Sequence, residues 1–174
     1  MDLLTDVVEI RRRTVRNTAG NLKFRRFVRA RHLPEGPFRV LAGDIQGQID
    51  CTECANCCRQ FIVNVSDEEV SAIASYLRMT VQDVRRQYTE PDTEEPGRTV
   101  LINRNDACVF LDGNLCMIYD ARPKPCREFP HLTVTGKSLG SRIESIFRRA
   151  SLCPIVYNTL ESYKHLVGYK ELPN

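Results

Sequence analysis

Apolar and basic residues share the first thirty positions of the chain in a helical pattern. Eight apolar residues recur there at roughly the spacing of an α-helix, with arginines between them. They are Leu4, Val7, Val8, Val15, Leu22, Phe24, Phe27 and Val28. The pattern predicts one or two amphipathic helices, interrupted at Gly20. Because residues 32–37 are rich in helix breakers, we expect a basic helical extension over residues 1–37 and a second domain over residues 38–174.

Short strands and capped helices are predicted in the middle of the chain. Phe61, Val63 and Val65 alternate with Ile62 and Asn64, which indicates a short strand with one buried face. Two signals of a helix start follow, Ser66 with Glu69 and Thr80 with Asp83. Each predicts a short helix.

The remaining elements complete an α+β prediction. The acidic stretch 89–98 contains two prolines and predicts a surface loop before a strand at 99–102 and a hairpin. Ser141 with Glu144 predicts the start of another helix, and Pro154 suits the first turn of a last one. We therefore expect a small helix-rich domain with short strands, organised around a cysteine-ligated metal centre.

The formal charge of +3 hides an asymmetry. Residues 1–32 carry nine Lys/Arg against three Asp/Glu, which leaves 16 against 19 in the rest of the chain. The basic helix is most simply a solvated face, and the alternative is a surface for an acidic protein partner. A nucleic-acid partner is not expected, because basic residues are not spread over the rest of the chain.

The cysteine content indicates the compartment. Eight cysteines in 174 residues are too few for a disulfide-dense secreted scaffold, and the N-terminus lacks the apolar stretch of a signal peptide. No run of about 18 apolar residues suggests a membrane span. We therefore expect a cytoplasmic protein whose thiols bind metal rather than pair as disulfides.

The strongest chemical signal is a group of four cysteines in eight residues. Cys51, Cys54, Cys57 and Cys58 repeat the C-x-x-C spacing that lets two sulfurs reach one soft metal. Adjacent side chains point in different directions, so Cys57 and Cys58 favour two sites or a multinuclear cluster. The alternative is that one of the two is an inert buried thiol.

Two more cysteines flank a predicted turn. Cys108 and Cys116 lie symmetrically about Asp112, so a loop of residues 111–113 with Gly113 left-handed would place them opposite each other. Their Cβ atoms would then be about 5 Å apart. That distance suits two ligands of one metal and equally a disulfide, and the reducing compartment favours metal.

Arginines surround the next cysteine. Cys126 lies between Arg122 and Arg127 in a proline-rich segment, and these arginines could offset the charge of thiolate ligands. The alternative is an ordinary turn with surface arginines. Cys153, followed by proline, resembles the remote Cys-Pro of ferredoxin sites. His131 is a weaker candidate ligand, because lone histidines are usually structural.

In combination these motifs resemble a known family. The run Cys51 to Cys58, followed by Cys108, Cys116-Met-Ile-Tyr119, Arg122-Pro123, Cys126-Arg127-Glu-Phe129-Pro130 and Cys153-Pro154, is similar to the YkgJ-type CxxCxxCC proteins. The resemblance covers about residues 45–160 and implies zinc or iron chelation. A related cysteine cluster in flagellin lysine methylases is associated with an iron-sulfur centre.

Three functional classes remain open. We favour a protein that holds an iron-sulfur cluster, preferably [4Fe-4S], over zinc, and that handles metal or electrons or assists a partner. The alternatives are a cluster-dependent enzyme of methyl transfer or redox chemistry, and a structural zinc module. The candidate ligands are all eight cysteines, Cys51, Cys54, Cys57, Cys58, Cys108, Cys116, Cys126 and Cys153.

Overall fold

The structure is a computed structural model that describes residues 2–170. Within this range the helices are α1 (Val7–Arg16), α2 (Thr18–Ala30), α3 (Glu35–Gln46), α4 (Cys51–Cys54), α5 (Asn56–Gln60), α6 (Asp67–Leu77), α7 (Val81–Tyr88), α8 (Lys124–Arg127), α9 (Leu139–Ala150) and α10 (Pro154–Leu166). The strands are β1 (Thr89–Pro91), β2 (Thr99–Leu101), β3 (Asn103–Arg104), β4 (Ala107–Cys108), β5 (Leu111–Asp112) and β6 (Leu115–Cys116). They form three antiparallel pairs in chain order. The predicted helix-rich α+β class is confirmed.

Two compact units divide the chain. Unit 1 combines residues 1–51 with residues 130–174, and unit 2 is the segment Thr52–Phe129. The domain boundary predicted at residue 37 coincides with neither division, and whether residues 1–37 form a separable extension stays a prediction. None of the helices within residues 2–170 is long and apolar enough to cross a membrane.

Unit 1 is helical, and its core lies where α2, α3, α9 and α10 pack together. Phe24, Phe38 and Tyr163 are fully buried there. The rings of Phe38 and Tyr163 meet edge to face, with centroids 5.1 Å apart. Such a contact adds stability beyond the area that it buries. The last helix begins at Pro154, as predicted.

The N-terminal helices differ from the prediction in their break and in their buried face. Two helices form, but α1 ends before Asn17, whereas Gly20 is buried inside α2. Val8 and Val15 are 77% and 66% exposed, and the fully buried Ile10 contributes to the core instead. The apolar pattern therefore predicted the helices and the buried Phe24 and Val28 of α2, but it misplaced the inner face of α1.

The start of α9 is also shifted. The helix begins at Leu139, because the Ser138 hydroxyl accepts a hydrogen bond from the backbone N–H of Ser141. The predicted cap at Ser141 is wrong by three residues. Both serines precede suitable helical residues, and Ser138 extends the helix by one turn.

Unit 2 contains the two capped helices that the sequence predicted. The Ser66 hydroxyl accepts from the Glu69 N–H, and the Glu69 carboxylate accepts from the Ser66 N–H, which completes a capping box. Thr80 caps α7, because its hydroxyl accepts a hydrogen bond from the Asp83 N–H at 3.1 Å. Both helices contribute to a core of eight buried residues. They are Val65, Val70, Ile73, Ala74, Val84, Leu101, Phe110 and Ile118.

The predicted strand at residues 61–65 is reduced to an isolated bridge between Asn64 and Val100. The segment is extended beside β2, where Val65 N–H donates to Thr99 O and Leu101 N–H donates to Val63 O, each at 2.9 Å. Val65 is buried, as predicted for the inner face of this segment. Residues 89–91, predicted as loop, pair with β2 as β1 instead.

The cysteine hairpin is not formed as predicted. Cys108 pairs with Asn103 in one hairpin, and Cys116 pairs with Leu111 in the next. The reason is an earlier tight turn at Asn105 and Asp106, whose φ values are 51° and 59°. Such a turn requires two left-handed residues, which Asn and Asp tolerate. Gly113 is left-handed, as predicted, with φ 57°.

Candidate metal site

The four clustered cysteines lie on two very short helices. Cys54 ends α4, and Cys57 and Cys58 lie on α5. Between the helices, Ala55 has a left-handed backbone with φ 46° and is only 3% exposed. This sharp reversal folds the C-x-x-C-x-x-C-C segment back on itself instead of extending it as one helix.

The adjacent pair does not diverge as expected. The Sγ atoms of Cys57 and Cys58 lie 4.0 Å apart. A hydrogen bond from Cys57 is the main cause that lowers the pKa of Cys58 to about 7, and burial opposes it. The positive charges of Arg59 and Arg122 lower that pKa further. Cys58 therefore becomes a thiolate more readily than an ordinary cysteine.

Three cysteines from distant segments share the electrostatic environment of Cys58. Burial is the largest cause that raises the pKa of each of Cys108, Cys116 and Cys126. The negative charge of other thiolates raises them further, and every pair among these four cysteines interacts in this way. For Cys126 the pKa rises to about 12. Unit 2 thus gathers four half-buried thiols whose negative charges oppose one another.

The two predicted arginines differ in what they contact. The Arg122 guanidinium lies over the Tyr119 ring, 3.6 Å from its centroid, and Nε donates to Tyr119 O at 2.9 Å. Its charge lowers the pKa of Cys58, Cys116 and Cys126. Arg127 instead donates from Nη1 to the carbonyl of Arg122. Arg122 therefore acts on the thiols, and Arg127 supports the backbone that carries Arg122.

Two polar residues at this site were not predicted. Arg59 donates from Nη1 to Cys54 O at 3.1 Å, and Asn114 donates from Nδ2 to Glu53 O at 3.1 Å. Both therefore bind the backbone of the cysteine segment. The position of Arg59 directly after Cys58 was the one available sequence signal. Nothing in the sequence pattern pointed to Asn114.

Two of the eight candidate cysteines, Cys51 and Cys153, belong to unit 1. Cys51 is exposed at the start of α4, and Cys153 is 5% exposed at the start of α10. Burial lowers the pKa of Arg149, which lies one turn before Cys153, and the charge of Cys153 raises it. His131 is left-handed, and its carbonyl accepts a hydrogen bond from Arg142.

The donor chemistry of unit 2 fits a soft metal. Its candidate ligands are all thiols, which favour zinc and iron-sulfur clusters. As the side chains stand, no three His, Cys, Asp or Glu residues within 2–170 are arranged to hold a metal ion. The fit to a soft metal therefore rests on the thiol chemistry of the candidate ligands, on the grouping of these thiols in unit 2 and on the cationic residues beside them.

A comparison with known protein families also supports metal binding. The family model CxxCxxCC, described as "Putative zinc- or iron-chelating domain", matches residues 50–154, which is more than half of the chain. The chain belongs to the CxxCxxCC family. The resemblance inferred from the motifs is thereby confirmed. The match includes all eight cysteines and all of unit 2.

Membership of the CxxCxxCC family settles the general chemistry. This protein contains a zinc- or iron-chelating type of domain. No solved structure matches the chain. The assignment of individual ligands therefore depends on the geometry and electrostatics of this chain.

Proposed function

We propose that this CxxCxxCC protein holds an iron-sulfur cluster, preferably [4Fe-4S], and handles metal or electrons for a partner. The observation that carries the proposal is the mutual interaction of Cys58, Cys108, Cys116 and Cys126. A cluster of this type needs four thiolates. Cys51, Cys54, Cys57 and Cys153 remain further candidate ligands.

The charges around these thiols favour a bound cation. Without metal, the four thiols resist simultaneous ionisation, because burial and mutual repulsion raise the pKa of three of them. Iron supplies positive charge that offsets the repulsion, and binding releases protons. Cys108, Cys116 and Cys126 can therefore stay protonated without metal and lose their protons when metal binds.

The arginines support a cluster over a single zinc ion. A cluster with four thiolates retains net negative charge, and nearby positive charge stabilises it. Arg59 and Arg122 supply such charge beside Cys58. The absence of histidine from the proposed set also favours iron-sulfur, because zinc sites often mix histidine with cysteine. The basic N-terminal helix as a partner surface remains a prediction.

Anaerobic purification tests the proposal. We expect a brown protein with acid-labile sulfide whose visible absorption bleaches on reduction. Cys116→Ser and Cys126→Ser should each lose iron and sulfide. Met117→Leu is the matched control, because it removes an exposed sulfur next to Cys116 that is not a candidate ligand. A colourless, sulfide-free protein with near-stoichiometric zinc would contradict the iron-sulfur proposal and favour a structural zinc module.

A further inference from the structure

Two side chains connect the cysteine segment to the turn between β5 and β6. Besides its bond to Cys54 O, Arg59 donates from Nη2 to Gly113 O at 2.6 Å and to Asn114 Oδ1 at 2.7 Å. Asn114 donates in turn to Glu53 O at 3.1 Å. Three of these four hydrogen bonds thus join segments that lie more than fifty residues apart in sequence, and the fourth holds Arg59 to the backbone of its own segment.

We propose that Arg59 and Asn114 are positioning residues that hold the ligand-bearing segments of unit 2 in register for metal binding. We name this pair the Arg59–Asn114 clasp. The inference rests on the proposed function, because positioning has a purpose only if the cysteines bind metal. It assigns no contact with the metal itself to either residue.

The location of the clasp supports this role. On one side it fixes the backbone at Glu53 and Cys54, just before Cys57 and Cys58. On the other side it fixes the turn that leads to Cys116, two residues after Asn114. The clasp therefore determines how Cys58 and Cys116, two thiols that interact electrostatically, are presented to each other.

The elements that the clasp joins are too short to be rigid by themselves. Helix α5 has five residues, and β5 and β6 have two residues each. Isolated helices and hairpins of this length are unstable in water. Additional hydrogen bonds between them reduce the entropy that metal binding would otherwise have to remove.

The geometry requires arginine at position 59. Its planar guanidinium reaches three acceptors on two segments, which the single ammonium of lysine does not reproduce. Left-handed Gly113, with φ 57°, forms the turn whose carbonyl is one of those acceptors. The role of Arg59 therefore depends on its forked shape as well as on its charge.

Metal affinity and hydrogen exchange together test the clasp. The variants are Arg59→Gln, Arg59→Lys and Asn114→Ala, and Arg98→Gln is the matched control. Arg98 is half-exposed in the same unit and pairs with Glu95, away from the cysteines in sequence. The dissociation constant of Zn²⁺ is measured in reduced protein by competition with a chromophoric chelator. Exchange is followed in metal-free protein at residues 53–60 and 113–116.

We expect all three clasp variants to weaken Zn²⁺ binding by about 10- to 100-fold, the usual effect of residues that orient metal ligands. Hydrogen exchange should accelerate in both segments. Asn114→Ala should have the smallest effect on affinity and exchange, because it leaves two of the four hydrogen bonds. Arg98→Gln should change the dissociation constant by less than about twofold, as surface substitutions usually do.

Two results would overturn the clasp. One is unchanged affinity and exchange in Arg59→Gln and Asn114→Ala. The other is full recovery of affinity in Arg59→Lys, which would assign the effect to charge alone. If the unmodified protein binds no metal, the proposed function fails, and the clasp loses its role in metal binding with it. If the unmodified protein binds metal and the clasp variants bind it equally well without faster exchange, the clasp alone is overturned.

Discussion

Cys58 is an unusually acidic thiol in unit 2. A hydrogen bond from Cys57 lowers its pKa to about 7, burial acts against this, and the charges of Arg59 and Arg122 add to the lowering. Cys126, by contrast, is held protonated by burial and by neighbouring thiolates, with a pKa of about 12. In the metal-free protein these two cysteines should therefore react very differently.

Alkylation across a pH series tests this difference. As pH rises through about 7, the Cys58 thiol loses its proton, so its alkylation by iodoacetamide should reach half its maximal rate there. The pKa of Cys58 is lower in the folded chain than in the unfolded chain. Ionised Cys58 therefore stabilises the fold above the unfolded pKa, and this stabilisation is lost as pH falls through about 7. Peptide mass spectrometry of reduced, metal-free protein measures the rates.

Arg122→Gln should raise the midpoint for Cys58, because the variant removes a charge that favours the thiolate. Arg98→Gln should leave it in place. Cys126 should remain unreactive throughout the range in which Cys58 titrates. A Cys58 midpoint at the ordinary value of 9.0 would contradict the assigned hydrogen bond and charges.

At the residue scale, the sequence predicted candidate ligands but not the side chains that hydrogen-bond to the backbone beside them. Cysteine spacing marked the candidate ligands, and the position of Arg122 near Cys126 in sequence suggested its electrostatic role. Arg59 was missed because its acceptors at Gly113 and Asn114 are brought to it only by the fold. Arg127 donates to the carbonyl of Arg122, and its predicted effect on the thiols stays a prediction.

Among the elements, α6 connects the core of unit 2 to the segment of Cys126. One oxygen of Glu69 accepts from the Ser66 N–H at 2.9 Å, and the other accepts from the Lys124 N–H at 2.6 Å. Lys124 begins α8, which carries Cys126. The N-terminal cap of α6 thus also fixes the start of a ligand-bearing helix.

Ser66→Ala should destabilise unit 2 by about 1 kcal/mol, because the N–H of Glu69 loses its acceptor at the helix start. Urea unfolding of the metal-free protein, followed by circular dichroism, measures the change. Ser75→Ala is the control, since that hydroxyl binds a carbonyl within the same helix and caps nothing. Equal stability of the two variants would contradict a stabilising role for the cap.

Elements that depend on interactions between residues close in sequence were predicted better than elements that depend on unusual backbone conformations or distant contacts. The α6 cap is local, since Ser66 and Glu69 are three residues apart, and it was predicted correctly. The pairing of Cys108 with Asn103 depends on two adjacent left-handed residues, and sequence symmetry about Asp112 suggested another turn. Turns without glycine are difficult to recognise from composition alone.

For the whole molecule, the N-terminal helices are part of the core of unit 1. Phe24 and Val28 are fully buried, and α2 packs against α9, more than a hundred residues later in the chain. Arg25 also forms an ion pair with Glu144. Amphipathic periodicity indicated that these helices have an apolar face, but it could not identify the helix that covers that face.

Deletion of residues 1–32 should separate the roles of the two units. We expect the loss of cooperative unfolding in unit 1, because single Phe→Ala changes in a core already cost about 3–5 kcal/mol. Metal stoichiometry should be unchanged, because the four proposed cluster ligands lie in unit 2. Near-ultraviolet circular dichroism and elemental analysis provide the two measurements.

The control for this deletion neutralises charge without removing the core. Arg11→Gln combined with Arg12→Gln changes two exposed residues of α1 and should leave unit 1 folded. If the deletion abolishes metal binding, the ligand assignment to unit 2 alone is wrong, and the N-terminal helices are required for the site.

Unit 1 is formed by two separate stretches of the chain, and this affects the order in which the units can fold during synthesis. Unit 2 is complete at Phe129, whereas α10 of unit 1 ends at Leu166. At ribosomal rates of about 5–20 residues per second, the 37 residues from Pro130 to Leu166 take roughly 2–7 s to synthesise. A nascent chain therefore exposes a finished set of thiols before the helices at its two ends can associate. Cotranslational folding of unit 2 can therefore precede the assembly of unit 1.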